Sequence, residues 1–127
     1  TVTITGVVTN GDELGPIRYI EDNTGGMALY SSALSGLQRG DEVTVSGVLK
    51  DYQGLLEMDP VNSNTTNSTG NTLNPQLITP IQIGEATESE LIQIDNLIFN
   101  NGGSIFTGNT AFDFTSNGET GKIYLKT

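Results

Sequence analysis

The chain contains no cysteine, no histidine and no tryptophan. Without cysteine there is no disulfide and no thiolate metal centre, and without histidine no imidazole ligand or imidazole general acid–base. A fold of 127 residues without these groups rests on its apolar core alone. Basic residues are scarce as well: five lysines and arginines stand against 15 acids, for a formal net charge of -10. Such a surface repels phosphate backbones and anionic lipid at long range. No apolar run approaches the roughly 20 residues of a membrane-spanning helix, so no membrane insertion is expected. No serine has a plausible basic partner, and the Gly-rich turn DNTGG (Asp22–Gly26) has no lysine to hold a phosphate. The chain is therefore not expected to be an enzyme.

Hydrophobic content is only 35%, but it is gathered into strand-sized runs rather than diluted as in a disordered chain. Thr1–Asn10 (TVTITGVVTN) and Glu42–Asp51 (EVTVSGVLKD) repeat one pattern, an alternating β-branched run broken by a glycine and followed by a second short apolar run. A glycine within a strand marks a bulge, a bend or a close backbone approach. Between the two, Ile17–Glu21 and Met27–Ser31 flank the DNTGG turn as a hairpin. Ser32–Gly40 is too short and Gly-broken for a long helix and should drop Leu34 and Leu37 over one barrel end. Tyr52-Gln53-Gly54 turns the chain into a closing strand, Leu55–Met58, stopped by Pro60. Strand, hairpin, linker and long kinked strand predict an all-β fold, a five-stranded Greek-key barrel of OB type over residues 1–61. Its expected core includes Val2, Ile4, Leu29, Val43, Val45 and Leu55.

Asn62–Asn74 (NSNTTNSTGNTLN) is polar and lacks periodicity, which predicts a loop or linker over residues 62–74. Residues 75–127 read as a β-rich extension. Gly84–Glu90 suits one helical turn, Leu91–Asn100 one strand, Ser104–Phe106 a short strand, and SNGETG (Ser116–Gly121) a hairpin turn. In Leu91–Phe99, alternation places Ile92, Ile94 and Ile98 on one side, apolar enough to require burial. The extension resembles the start of a second barrel, with Leu91–Asn100 in the place of Thr1–Asn10. It is expected to pack on the first barrel and to leave an edge strand through which two copies could pair.

The runs IRYIEDNTGGMALY, LQRGDEVTVSGVLKDYQGLLEM and ELIQIDNLIF together resemble the OB-fold repeats of secreted and cell-surface multidomain proteins of Bacteroidota, often appended to extracellular nucleases. The resembling segments are Tyr19–Gly26, Gly40–Gly47, Tyr52–Leu55 and Leu91–Asn96. The resemblance implies a non-catalytic accessory module, binding or spacing, in an exported parent chain whose other domains are its neighbours. It carries no ligand motif.

Candidate ligand residues come from the chain itself. OB barrels bind on the face of strands 2 and 3 and their flanking loops, where aromatic rings and cations suit single-stranded nucleic acid and aromatic rings with amides suit glycans. Arg18, Tyr30, Lys50 and Tyr52 are the residues available for either ligand. Because Arg18 and Tyr19 alternate, only one of the two can join a given surface. No cofactor is required. Glu21, Asp22 and Asn23 form the best calcium candidate, since their turn could add carbonyl oxygens.

Overall fold

The structure is a computed structural model that describes residues 1–127. It is all-β, with about half of the residues in strands and no helix of seven residues or more. No helix is long and apolar enough to cross a membrane. Two compact units emerge: Thr1–Asn74 with Glu88–Leu91, and Pro75–Thr87 with Ile92–Thr127.

The first unit holds β1 (Val2–Val8), β2 (Ile17–Glu21), β3 (Gly26–Tyr30), β4 (Glu42–Tyr52) and β5 (Leu55–Ser68). β1, β2 and β3 form an antiparallel meander, β4 pairs antiparallel with both β1 and β5, and β5 returns parallel to β3. The order β1-β2-β3-β5-β4 thus closes on itself as a barrel. Val8, Ile20, Leu29, Leu34, Leu37, Val43, Val45 and Met58 fill it. Each fully buried side chain of this kind contributes roughly 1.5–3 kcal/mol. Leu34 reaches the core from a short 3-10 turn, Ser32–Leu34, capped by the Ser31 hydroxyl, which accepts from the Ala33 amide; Leu37 follows from the stretch just after it.

Two expected core residues are corrected. Val2 is 37% exposed, because the β2 ladder reaches only Val7 and Val8 and leaves the first turn of β1 paired with β4 alone. Leu55 is half-buried, since alternation from the inward-facing Met58 turns it outward.

Only the first part of the polar tract is strand; residues 69–74 lie in no strand or helix, as expected of a loop. β5 continues through that first part to Ser68, and its partners run back along β4 to Glu42. Thr65 lies opposite Thr44 and Ser63 opposite Ser46, so this half of the hairpin is held by backbone pairing with water on its outer side. A strand whose side chains need no core shows no apolar alternation, which is why composition disguised it. Pro60 does not stop the strand either: Asp59 and Pro60 together oppose Val48 in an irregular step of the ladder, where a missing amide costs nothing. The expected kink at Gly47 is present, with register shifts on both sides. A Cβ there would lie 2.3 Å from the Pro60 carbonyl oxygen and 2.6 Å from Met58 Cγ. Gly6 marks a close approach, since the β1–β4 ladder runs through it unbroken and a Cβ would sit 2.9 Å from the Glu21 carbonyl oxygen.

The second unit holds β6 (Gln76–Leu77), β7 (Ile92–Gln93), β8 (Leu97–Phe99), β9 (Thr110–Ser116) and β10 (Glu119–Leu125). β6 and β7 pair in parallel, and β8-β9-β10 form an antiparallel meander. The expected helical turn is the 3-10 turn Glu85–Thr87. The hairpin turn is tighter than expected, with Asn117 and Gly118 both at positive φ, 49° and 84°. The expected strand Leu91–Asn100 is broken at Asn96, which has φ 54°, and Ser104–Phe106 forms no strand. That break reverses the expected facing. Ile98 is 69% exposed, whereas Phe99 joins Phe106 and Phe114 edge to face at centroid separations of 4.7 and 6.3 Å.

Candidate functional site

The outward face of the barrel is assembled by register. Tyr19 on β2 lies opposite Ala28 on β3, Ala28 opposite Glu57 on β5, and Glu57 opposite Lys50 on β4. Period-two alternation places Tyr30 and Tyr52 on the same side as this row, toward opposite ends of it. Strand rise and strand spacing put the two tyrosines roughly 16 Å apart. They are 46% and 52% exposed. An extended ligand can touch both, but a single ring cannot.

Lys50, between them, is not a free cation. Its Nζ donates to Asp59 Oδ2 at 2.8 Å, lies 3.9 Å from Glu57 Oε1, and sits 5.7 Å from the centre of the Tyr52 ring. The Asp59 hydrogen bond, reinforced by that charge and by Glu57, raises the ammonium pKa and keeps it protonated. One cation and two carboxylates leave this strip with no positive charge to offer a phosphate. Tyr19 is half-buried in the same row; burial raises its phenol pKa, and the charges of Glu57 and Glu88 act in the same direction.

Three of the four candidate ligand residues, Tyr30, Lys50 and Tyr52, therefore share one face. Arg18 does not, and its assignment is corrected. It points inward with Ile20 and is fully buried. Its guanidinium is ion-paired with Asp12 and donates to the carbonyls of Leu37, Gly15 and Ile17 at 3.3, 2.9 and 3.0 Å. With its donors aimed at fixed acceptors, Arg18 ties the loop between β1 and β2 to the barrel. Alternation correctly split Arg18 from Tyr19; the fork of an arginine let the charged member take the inward side.

The calcium candidates are also engaged by the chain. Asp22 Oδ1 accepts from the Thr24 amide at 2.7 Å, the Thr24 hydroxyl at 2.6 Å and the Gly25 amide at 3.3 Å. The hydroxyl, then the amides, lower its pKa. Glu21 Oε2 accepts from the Leu91 amide at 2.8 Å. Asn23 is exposed in the turn. No group of three acidic side chains converges on a metal-sized point in the chain. Glu21 ends β2, while Asp22 and Asn23 open the hairpin turn that the Asp22 carboxylate holds.

Sequence reasoning missed Glu57 and Asp59 as the partners of Lys50. The signal was present: the two-residue turn Gln53-Gly54 sets Tyr52 against Leu55 and hence Lys50 against Glu57. Searches against protein-family models, curated proteins and solved structures found no match to this chain.

Proposed function

We propose that the first unit is an OB-type barrel acting as a non-catalytic binding module of an exported bacterial multidomain protein, and that the Tyr30–Lys50–Tyr52 strip takes a neutral oligosaccharide. The strand order and the parallel return of β5 to β3 support the OB reading. The motif resemblance supports an accessory role in an exported parent chain, alongside domains such as an extracellular nuclease. The observation that carries the ligand class is the neutralised lysine: two exposed tyrosines flank a cation already held by Asp59 and Glu57. A neutral sugar ring laid by its C–H face on a tyrosine ring meets no electrostatic opposition there, whereas a phosphate backbone meets a surface of net charge -10.

The test is a titration of labelled neutral hexasaccharides and of a labelled deoxythymidine oligonucleotide, each at low and at physiological salt. Binding of a hexasaccharide unchanged by salt, and weakened about tenfold or more by Tyr30→Ala or Tyr52→Ala, is expected. Oligonucleotide binding that persists at physiological salt overturns the ligand class. Failure of both probes leaves a spacer and overturns the binding role.

A further inference from the structure

Four residues of the first unit, Glu88–Leu91, lie far along the chain from the strands they touch. Their contacts fall on three strands. The Glu88 carboxylate accepts from the Leu56 amide at 3.2 Å, at the start of β5 and just before its parallel pairing with β3 begins at Glu57. The backbone of Ser89 and Glu90 lies directly on Gly26 of β3, where a Cβ would come within 2.2 Å of the Ser89 carbonyl oxygen and 2.9 Å of the Glu90 nitrogen. The Leu91 amide donates to the carboxylate of Glu21 on β2. Ser89, Glu90 and Leu91 then line a cavity of about 360 Å³ with Thr9, Asn10 and Tyr19.

None of these anchors is a strand ladder. Two are single bonds between a carboxylate and an amide, and the third is steric access granted by a missing side chain. The segment also sits there at a cost: Ser89 holds φ at 63°, and its hydroxyl is buried with no partner. Both penalties vanish when the segment leaves. The footprint underneath needs no strand from the segment, because β3 is already paired with β2 on one side and β5 on the other.

We propose that the outward face of β2, β3 and the start of β5 is a peptide-docking groove, filled in this chain by Glu88–Leu91 and able to take in trans an extended peptide with one carboxylate placed as that of Glu88 is. Three features select that occupant. The Leu56 amide takes a carboxylate, the Gly26 surface takes bare backbone, and the Glu21 carboxylate takes a backbone amide. The groove adjoins the Tyr30–Lys50–Tyr52 strip but uses none of its side chains, so it stands independently of the oligosaccharide reading.

The probe is a labelled peptide of residues 86–93, ATESELIQ. The full chain carrying Glu88→Ala with Leu91→Pro loses both outer anchors and should bind this peptide at least tenfold more tightly than the native chain, whose groove is filled. Adding Gly26→Ala should abolish that binding, because its methyl group occupies the backbone path. A folded double variant that does not bind, or that binds regardless of Gly26→Ala, overturns the proposal. If the double variant does not fold, the segment is part of the barrel and the groove does not exist. Amide exchange on the native chain gives a second reading. The Leu56 and Leu91 amides should exchange at least tenfold faster than the Ile4 and Val45 amides of the barrel ladder; equal protection overturns the proposal.

Discussion

Both units contain a three-stranded antiparallel meander, β1-β2-β3 in one and β8-β9-β10 in the other, yet only the first encloses a core. In the first unit, β4 and β5 supply second neighbours to the outer strands, and eight apolar side chains are buried together. In the second, Ile78 and Phe114 are the buried apolar residues beside Pro80, while Ile105 is 88% exposed and Tyr124 59%. Its order comes instead from edge-to-face phenylalanines, with Phe106 also meeting Phe112 at 4.7 Å, and from the packing of Gly121 against the Phe114 ring. The difference teaches that a meander with one apolar face is only half of a solution. What turns it into a core is closure, which gives every strand two neighbours and the apolar side no exit to water.

The sharpest way to break this comparison is through one ion pair from each unit. Arg18→Met leaves three carbonyls at the barrel without their donor and should cost about 3 kcal/mol. Lys122→Met, which removes an exposed pair to Asp113 in the second unit, should change stability by less than about 0.5 kcal/mol. Urea unfolding followed by amide signals from each unit measures both; equal effects would end the contrast between closed and open units. Core truncation sharpens it next. Leu29→Ala should cost about 3 kcal/mol by leaving a cavity that closed walls cannot fill. Ile123→Ala, at a site already 37% exposed, should cost about 1 kcal/mol. Comparable losses in the same unfolding experiment would show the second unit to be as tightly packed as the first.

The smallest expected effect is one of pH. Because the Tyr19 phenol pKa is raised in the folded state, the folded chain binds that proton more tightly than the unfolded chain does. Its contribution is fully present below the ordinary phenol pKa and is lost as pH rises through the raised one. The first unit should therefore lose stability on the alkaline side of the phenol range, and Tyr19→Phe should flatten that decline. A decline of the same slope in Tyr19→Phe would assign it to another group.

The all-β class, the hairpin at DNTGG, the kink at Gly47 and the burial of Leu34 and Leu37 were legible because each leaves a local mark: period two, turn glycines, or an apolar pair within a Gly-broken stretch. The outer half of β5 was not. Its partners, Glu42 to Ser46, hold it through backbone bonds that any side chain permits, so a wet strand and a loop share one composition. Arg18 was legible as standing opposite Tyr19 but not as inward, because its acceptors are carbonyls set by the fold. In the sequence, Tyr30, Lys50 and Tyr52 stand only as the rings and cation available to an OB ligand face; strand register is what brings them to one side. The anchoring of Glu88–Leu91 had no signal, since it depends on a missing Cβ and two carboxylates more than thirty residues apart.

The tight turn at Gln53-Gly54, with φ of 55° and 92°, also bears on how the chain folds. It lets β4 and β5 zip from neighbouring residues outward, whereas β1 must find β4 some forty positions away, Val2 against Gly47 and Val7 against Glu42. Loop-closure entropy favours the near partner, so the long hairpin is expected to form first and serve as a template for β1. Its water-facing outer half then has a kinetic use: it lengthens that template without adding apolar surface that could aggregate before β1 arrives.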